Sequence, residues 1–204
     1  QLGLDCTADA MLLVETDGDP ESADMEIGRV AEVCWQAGAK KVQVAHDSAE
    51  SDELWRARRS ISPSLGRVRP NKLGEDVVVP RSAIPSMVAR IKRISHNYHL
   101  PIVIFGHAGD GNLHPLVAFD AKEPGVLDRV RSAAEEMVRI SIEAGGTLSG
   151  EHGIGLEKRD LMGAQFTPED MEAQMKVKDV FDPKWLLNPA KVFPLAVSAG
   201  RRAA

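Results

Sequence analysis

A chain of 204 residues has room for one large domain or two small ones and is long enough to bury a core. Hydrophobic residues make up 43% of it and charged residues 27%, as in ordinary soluble globular proteins. The net charge of −5 disfavours nucleic acid as the main partner, because phosphate binding needs a concentrated basic face. No apolar run approaches the roughly 20 residues of a membrane-spanning helix.

The first half of the chain predicts one strand-helix-strand unit followed by a basic helix. Apolar runs at 11–16 and 41–45 are typical of strands, and apolar positions at helical spacing predict a helix over 21–37, which Gly38 ends. Residues 51–60 predict a helix, and 62–70 a loop that contains two prolines.

The second half repeats this alternation of strands and helices. Strands are predicted at 77–80, 102–105 and 116–119, and helices from an N-cap at Ser82 to Tyr98, over 124–144 and over 167–180. This order predicts an α+β fold in which an antiparallel or mixed sheet carries helices on one face. The two halves are candidates for a duplicated ferredoxin-like unit, although no sequence repeat is visible.

Two cysteines, Cys6 and Cys34, are too few for a disulfide framework or a thiolate metal site. We therefore expect both to be reduced, as in a cytoplasmic protein, with any membrane association made through partner subunits. The chain opens at Gln1 without a leader and enters a folded pattern at once, so we interpret it as a fragment of a longer polypeptide. We expect residues 1–194 to form one domain and 195–204 a flexible tail.

The densest cluster of functional residue types is the segment 106–115, GHAGDGNLHP. Its glycines predict a sharp turn between two apolar strands, which would bring His107 and His114 together at one end of the sheet. Two imidazoles held on strand ends are good ligands for a divalent metal. The alternative is that both histidines only form hydrogen bonds with the turn.

A second glycine-rich stretch, 145–155, places Glu151 beside His152. If Glu151 joined His107 and His114, the three would form a two-histidine, one-carboxylate metal site with positions open for substrate. His152 would then remain available as a general base. The alternative is a connector whose Glu and His are solvated.

Basic side chains near the predicted helix 51–60 are candidates for binding an anionic substrate. An arginine of that helix turned inward would hold a carboxylate through two hydrogen bonds, and Lys72 is a weaker candidate for the same role. On general grounds most of this basic face is solvated.

Taken together, these segments resemble the C-terminal domain of the FAD-linked oxidase family, which includes the glycolate oxidase flavin subunit, D-lactate dehydrogenases and D-2-hydroxyglutarate dehydrogenase. The matching pieces occur in family order over nearly the whole chain. They are LWRAR (54–58), EDVVVP (75–80), GHAGDGNLHP (106–115), SGEHGIG (149–155) and NPAKVFP (188–194).

The resemblance implies a role for each candidate residue. It implies that His107, His114 and Glu151 bind a divalent metal such as zinc or manganese, and that His152 acts as the base. The substrate-binding residues that it implies are Arg58, Ser62 and Lys72, and those near the flavin are Asn188 and Lys191. Leu116 replaces an asparagine of some 2-hydroxyglutarate-type relatives, which disfavours that substrate.

The resemblance also implies the reaction and the partners. An (R)-2-hydroxy acid of the glycolate or D-lactate type would be oxidised to the 2-oxo acid, with hydride passing to FAD that an N-terminal domain mainly holds. Electrons would continue to an electron-transfer flavoprotein, a quinone or an iron-sulfur subunit. Two other classes stay open: a flavin-independent metal hydrolase, and a non-catalytic ferredoxin-like subunit of a flavoprotein complex.

Overall fold

The computed structural model describes residues 7–198 and divides into two compact units, residues 7–64 and residues 65–198. Cys6 and the end of the predicted tail, 199–204, lie outside the described residues. The prediction that residues 1–194 act as one domain stays a prediction. The helices are α1 (Pro20–Gln36), α2 (Ser48–Leu65), α3 (Ile84–Tyr98), α4 (Val126–Glu143), α5 (Pro168–Phe181) and α6 (Leu195–Ser198). The strands are β1 (Asn71–Gly74), β2 (Val77–Val78), β3 (Ile102–His107) and β4 (Asn112–Phe119).

The first unit contains α1 and nearly all of α2, and the strands predicted beside α1 are not formed. The predicted helix over 21–37 is confirmed: the Asp19 side chain accepts a hydrogen bond from the Ser22 backbone N–H and caps α1. Residues 11–16 and 41–45 form no strand, so both strand predictions were wrong. Met11 and Leu12 are more than 60% exposed, and an apolar run forms a strand only where a neighbouring strand pairs with it.

Helix α2 extends past the predicted boundary, through Ser62 and Pro63 to Leu65. The loop predicted over 62–70 was therefore wrong at its beginning. Proline removes one helical hydrogen bond and disfavours continuation. Leu65, however, is buried against Leu116 and Ala118, and this packing stabilises the last turn.

The sheet of the second unit is antiparallel throughout, with β4 at its centre. β3 pairs along one edge of β4, while β1 and β2 pair in succession along the other. Thr147, just after α4, forms a bridge with Val78 of β2. The chain order strand, helix, two strands, helix, bridging residue is that of one ferredoxin-like unit. The α+β class is confirmed, whereas the described residues of the first unit contain no strand and hence no second copy.

The core lies between one face of this sheet and helices α3 and α4. α3 begins at Ile84 after a 3₁₀ turn, Arg81–Ala83, so the predicted N-cap at Ser82 was wrong: Ser82 lies inside that turn. The buried residues of this core include Val77, Val79, Met87, Ile91, Ile94, Leu113, Val117, Val130, Met137 and Val138. The strand β1 was not predicted, because Asn71–Gly74 has no alternating apolar pattern.

The last third of the chain is mostly irregular, as predicted, apart from α5. A capping box begins this helix, with Thr167 and Asp170 exchanging side-chain and backbone hydrogen bonds. A small core of Met162, Met171, Met175, Trp185 and Phe193 holds the segment together. Residues 195–198 of the predicted tail form the short helix α6, and the flexibility of the tail stays a prediction.

Candidate functional site

Strand register brings His107 and His114 onto the face of the sheet opposite α3 and α4. Phe105 pairs with His114 and His107 pairs with Asn112 across the β3–β4 hairpin. Because side chains alternate along a strand, His107 and His114 point to the same side as Leu116, which packs away from the helices. Their rings meet edge to face with centroids 5.3 Å apart. His114 lies within β4 rather than at its beginning, where the sequence had placed it.

Glycine at 106 is required for the close approach of the two strands. A Cβ added at this position would lie 2.1 Å from the Asn112 carbonyl oxygen and 2.9 Å from the Leu113 Cα. Gly111, which closes the turn, has a φ of 74°, the left-handed region that glycine adopts without strain. The glycine density that marked this turn in the sequence therefore has a steric cause.

Glu151 completes a three-residue cluster with the two histidines. Its Oε1 lies 3.1 Å from His114 Nε2 and 3.8 Å from His107 Nε2. One candidate ligand atom from each residue lies within 4.8 Å of the other two. His107 and Glu151 are half exposed while His114 is buried, so the cluster opens to solvent on one side.

This donor set fits the divalent metal that the sequence predicts. Two imidazole nitrogens and one carboxylate oxygen suit zinc or manganese and leave further coordination positions open. Burial lowers the pKa of His114, although the charges of Glu151 and Asp76 act in the opposite direction. The imidazole is thereby kept in the neutral form that binds a metal.

His152 stands beside the cluster rather than in it. Its ring stacks on that of His114, with centroids 5.2 Å apart and an angle of 12° between the planes. The residue is exposed, so its imidazole is accessible to a solute. This position is compatible with a proton acceptor, and the role of His152 as the base stays a prediction.

Asp76, a buried carboxylate beneath the cluster, was not predicted from the sequence as a site residue. Its Oδ2 accepts hydrogen bonds from the Ser149 hydroxyl and from the backbone N–H groups of Gly150, Glu151 and His152, at 2.8 to 2.9 Å. Burial raises the pKa of Asp76, but these hydrogen bonds outweigh burial and lower it to about 2. The available signal was an acidic pair, Glu75-Asp76, entering an apolar strand, since buried carboxylates are rare.

A buried ion pair lies next to Asp76 and was also missed. Lys158 Nζ donates a 2.5 Å hydrogen bond to the Asp76 backbone carbonyl and lies 3.6 Å from Glu75 Oε2. Both side chains are 4% exposed. Burial raises the pKa of Glu75, and the ammonium group of Lys158 opposes that effect. The hydrogen bond from Lys158 thus fixes the backbone at Asp76, and Glu75 is the ion-pair partner of that buried ammonium group.

The structure places the remaining predicted residues in different parts of the molecule. Lys72 is exposed on β1 and pairs with Ala118, which puts it on the same sheet face as His114. Lys191 lines an open depression of about 290 Å³ that also includes His152, Gly74 and Lys158.

Arg58 and Ser62 lie four residues apart on α2, in the first unit, and are half-buried on one helix face. Asn188 adopts a left-handed backbone conformation with φ 46° in the loop before Lys191. The predicted roles of both arginine and serine in substrate binding, and of Asn188 near a flavin, stay predictions.

Residues 1–192 match the family described as "FAD linked oxidases, C-terminal domain". The chain belongs to this family. Among FAD-linked oxidases, it is 40% identical over 192 residues to glycolate oxidase subunit GlcD of Escherichia coli (strain K12), covering 94% of this chain and 38% of that protein. GlcD of Bacillus subtilis (strain 168) is 39% identical over 193 residues, covering 95% and 41%. A probable mitochondrial D-lactate dehydrogenase of Danio rerio is 34% identical over 188 residues, covering 90% and 37%.

The chain therefore spans about two fifths of the length of these FAD-linked oxidases. The family implies FAD as cofactor, and the resemblance noted in the sequence is confirmed. Among residues 7–198, no helix is both long and apolar enough to cross a bilayer.

Proposed function

We propose that this domain binds a divalent metal and a 2-hydroxy acid and, joined to an FAD-binding domain, oxidises the acid to its 2-oxo form. The observation that carries the proposal is the convergence of His107, His114 and Glu151 on one point, with His152 stacked beside them. The family supports the flavin part, and relatives named glycolate oxidase and D-lactate dehydrogenase support the substrate class.

The proposed reaction divides the work between the side chains of the site. A divalent metal held by His107, His114 and Glu151 would supply Lewis-acid chemistry, lowering the pKa of a neighbouring hydroxyl. His152 accepts the hydroxyl proton, and the organic product is the 2-oxo acid. FAD, when bound by its own domain, would supply the two-electron acceptor for the Cα hydrogen and its electron pair, and an acceptor protein or quinone would reoxidise it.

Cationic side chains are the proposed holders of the substrate carboxylate. Lys72 lies on the sheet face that carries the histidines. Arg58 and Ser62 are assigned to substrate, and Asn188 and Lys191 to the flavin, on the family resemblance. Leu116 is buried against Leu65 and Ala118, so it offers no polar group to a second substrate carboxylate. We therefore favour glycolate or D-lactate over D-2-hydroxyglutarate.

Calorimetric titration of the full chain with Mn²⁺ and Zn²⁺ tests the metal site. Replacing His107 by Ala or Glu151 by Gln should weaken binding at least tenfold, because each change removes one of three ligands. His96→Ala is the matched control: this exposed histidine lies at the end of α3 and should bind metal as the wild type does. Unchanged affinity in the His107 and Glu151 variants would overturn the site.

Anaerobic flavin bleaching in the full-length flavoprotein tests the reaction. Glycolate or D-lactate should bleach the flavin rapidly, a chelator should stop the bleaching, and D-2-hydroxyglutarate should be slower. His152→Ala should lose most turnover while keeping its affinity for Mn²⁺. Rapid bleaching by this variant would remove His152 from its role as the base. No bleaching by any of the three acids would refute the proposed substrate class.

A further inference from the structure

The two oxygens of the buried Asp76 carboxylate have different surroundings. Oδ2 receives four hydrogen bonds from the segment 149–152, which carries Glu151 and His152. Oδ1 is buried without a hydrogen-bond partner and faces His114 Nδ1 across 3.9 Å. The four donors of the segment surround this one oxygen as the N–H groups of a backbone nest surround an anion. Asp76 therefore determines the positions of Glu151 and His152.

His114 Nδ1 is likewise buried without a partner. The other ring nitrogen, Nε2, is the one that faces Glu151 at 3.1 Å. An imidazole that ligates a metal through Nε2 must be neutral with its hydrogen on Nδ1. That hydrogen would point toward the unpartnered oxygen of Asp76, the arrangement in which a carboxylate orients a metal-ligating histidine. The gap of 3.9 Å is longer than a hydrogen bond in this arrangement, in which Nε2 lies 3.1 Å from the Glu151 carboxylate.

We propose that Asp76 is a positioning residue that organises the whole metal site. Through Oδ2 it places the third ligand, Glu151, and the base, His152. Through Oδ1 it accepts the Nδ1 hydrogen that His114 carries when its Nε2 binds a metal. This inference rests on the proposed metal site, and it assigns to Asp76 a role beyond stabilising the loop.

Asp76→Asn separates the two functions of the carboxylate. The side-chain oxygen of Asn can still accept the four hydrogen bonds from 149–152, so its NH₂ group must take the place of Oδ1 next to His114. Because that NH₂ group can only donate hydrogen bonds, it favours an unprotonated Nδ1 that accepts one, with the imidazole hydrogen on Nε2. The variant should keep the segment in place and lose the tautomer that binds metal.

The experiment combines two measurements on the full chain. In protein saturated with diamagnetic Zn²⁺, NMR should show a His114 Nδ1–H signal shifted downfield by a hydrogen bond to Asp76 in the wild type, and that signal should be lost or shifted upfield in Asp76→Asn. Calorimetry with Mn²⁺ and Zn²⁺ should show affinity reduced about 10- to 100-fold. A thermal melt of each variant reports whether the domain stays folded.

Two control variants keep the result interpretable. Asp182→Asn alters another buried carboxylate that accepts hydrogen bonds from two backbone N–H groups, those of Leu186 and Leu187. It should lower the melting temperature and leave metal affinity unchanged. Ser149→Ala removes one donor to Oδ2 but leaves Oδ1 facing His114, so the Nδ1–H signal of the Zn²⁺-bound form should match that of the wild type.

The outcomes distinguish this inference from the proposal on which it rests. If the wild type binds neither metal, the metal site itself is refuted. If the wild type binds and folded Asp76→Asn binds equally well with an unchanged Nδ1–H signal in the Zn²⁺-bound form, the positioning role of Asp76 is refuted while the metal site stands. Equal loss of metal affinity in Asp182→Asn would also overturn the inference, because the effect would then be general destabilisation.

Discussion

Replacing Gly106 by Ala tests how closely β3 and β4 approach beside the histidine cluster. The added Cβ would lie 2.1 Å from the Asn112 carbonyl oxygen, more than 1 Å inside the 3.4 Å at which ordinary contact begins. That oxygen belongs to the backbone, so the strands must separate. Forced overpacking costs about 1–3 kcal/mol, and each hydrogen bond lost costs about 1 kcal/mol more. We expect the free energy of unfolding to fall by about 3 kcal/mol, measured by urea denaturation followed by circular dichroism.

Gly109→Ala is the matched control within the same turn. No heavy atom lies within 4 Å of the Cβ that this change would add. We expect it to be neutral, or to stabilise by up to about 1 kcal/mol, because the unfolded chain loses conformational freedom. Mn²⁺ affinity should fall in Gly106→Ala alone, since only that change moves His107 relative to His114. Equal urea midpoints for the two variants would refute the close approach of the strands.

Three further predictions concern stability away from the metal cluster. Met137→Ala, in the centre of the core, should lower the free energy of unfolding, measured in urea, by about 2–5 kcal/mol. Leu127→Ala, on the exposed side of α4, should change that free energy by less than about 0.5 kcal/mol. Thr167→Ala removes the cap of α5 and should cost about 1 kcal/mol; a loss no larger than that of Leu127→Ala would contradict the capping box. The hydrogen bond from Lys178 lowers the pKa of Asp182 below its ordinary 3.8. The ionised Asp182 therefore adds its full share to the free energy of unfolding above pH 3.8, and that share is lost as the pH falls through the lowered pKa. Urea midpoints measured against pH should therefore fall less steeply in Asp182→Asn than in the wild type.

The three residues of the candidate metal cluster could be singled out because each stands in a local pattern with a local cause. His107 and His114 flank a glycine-rich turn between apolar strands, and such a turn must return the chain beside itself. Residues in a glycine-rich segment without helical or strand periodicity, such as Glu151, are candidates for binding on similar grounds. The helices α3, α4 and α5 were predictable from apolar spacing, because burial of one face is what stabilises them.

Other features depended on partners that are distant in the sequence. The run 11–16 has strand propensity, but whether a neighbour pairs with it is not a property of the run. Helix α2 continues through Pro63 because Leu65 packs against Leu116 and Ala118, some fifty residues away in the chain. Local rules that favour a loop at proline are outweighed there by burial.

Asp76 shows most clearly the difference between features with a local cause and features that depend on distant partners. The sequence by itself determined that a carboxylate stands at the entrance to an apolar strand, and it determined which residues could ligate a metal. Only the tertiary structure decided that this carboxylate lies under the segment 149–152 and faces His114, more than thirty residues away in either case. The physical reason is that a local pattern reflects the chain's own periodicity, whereas a buried charge is stabilised by donors that folding alone brings to it.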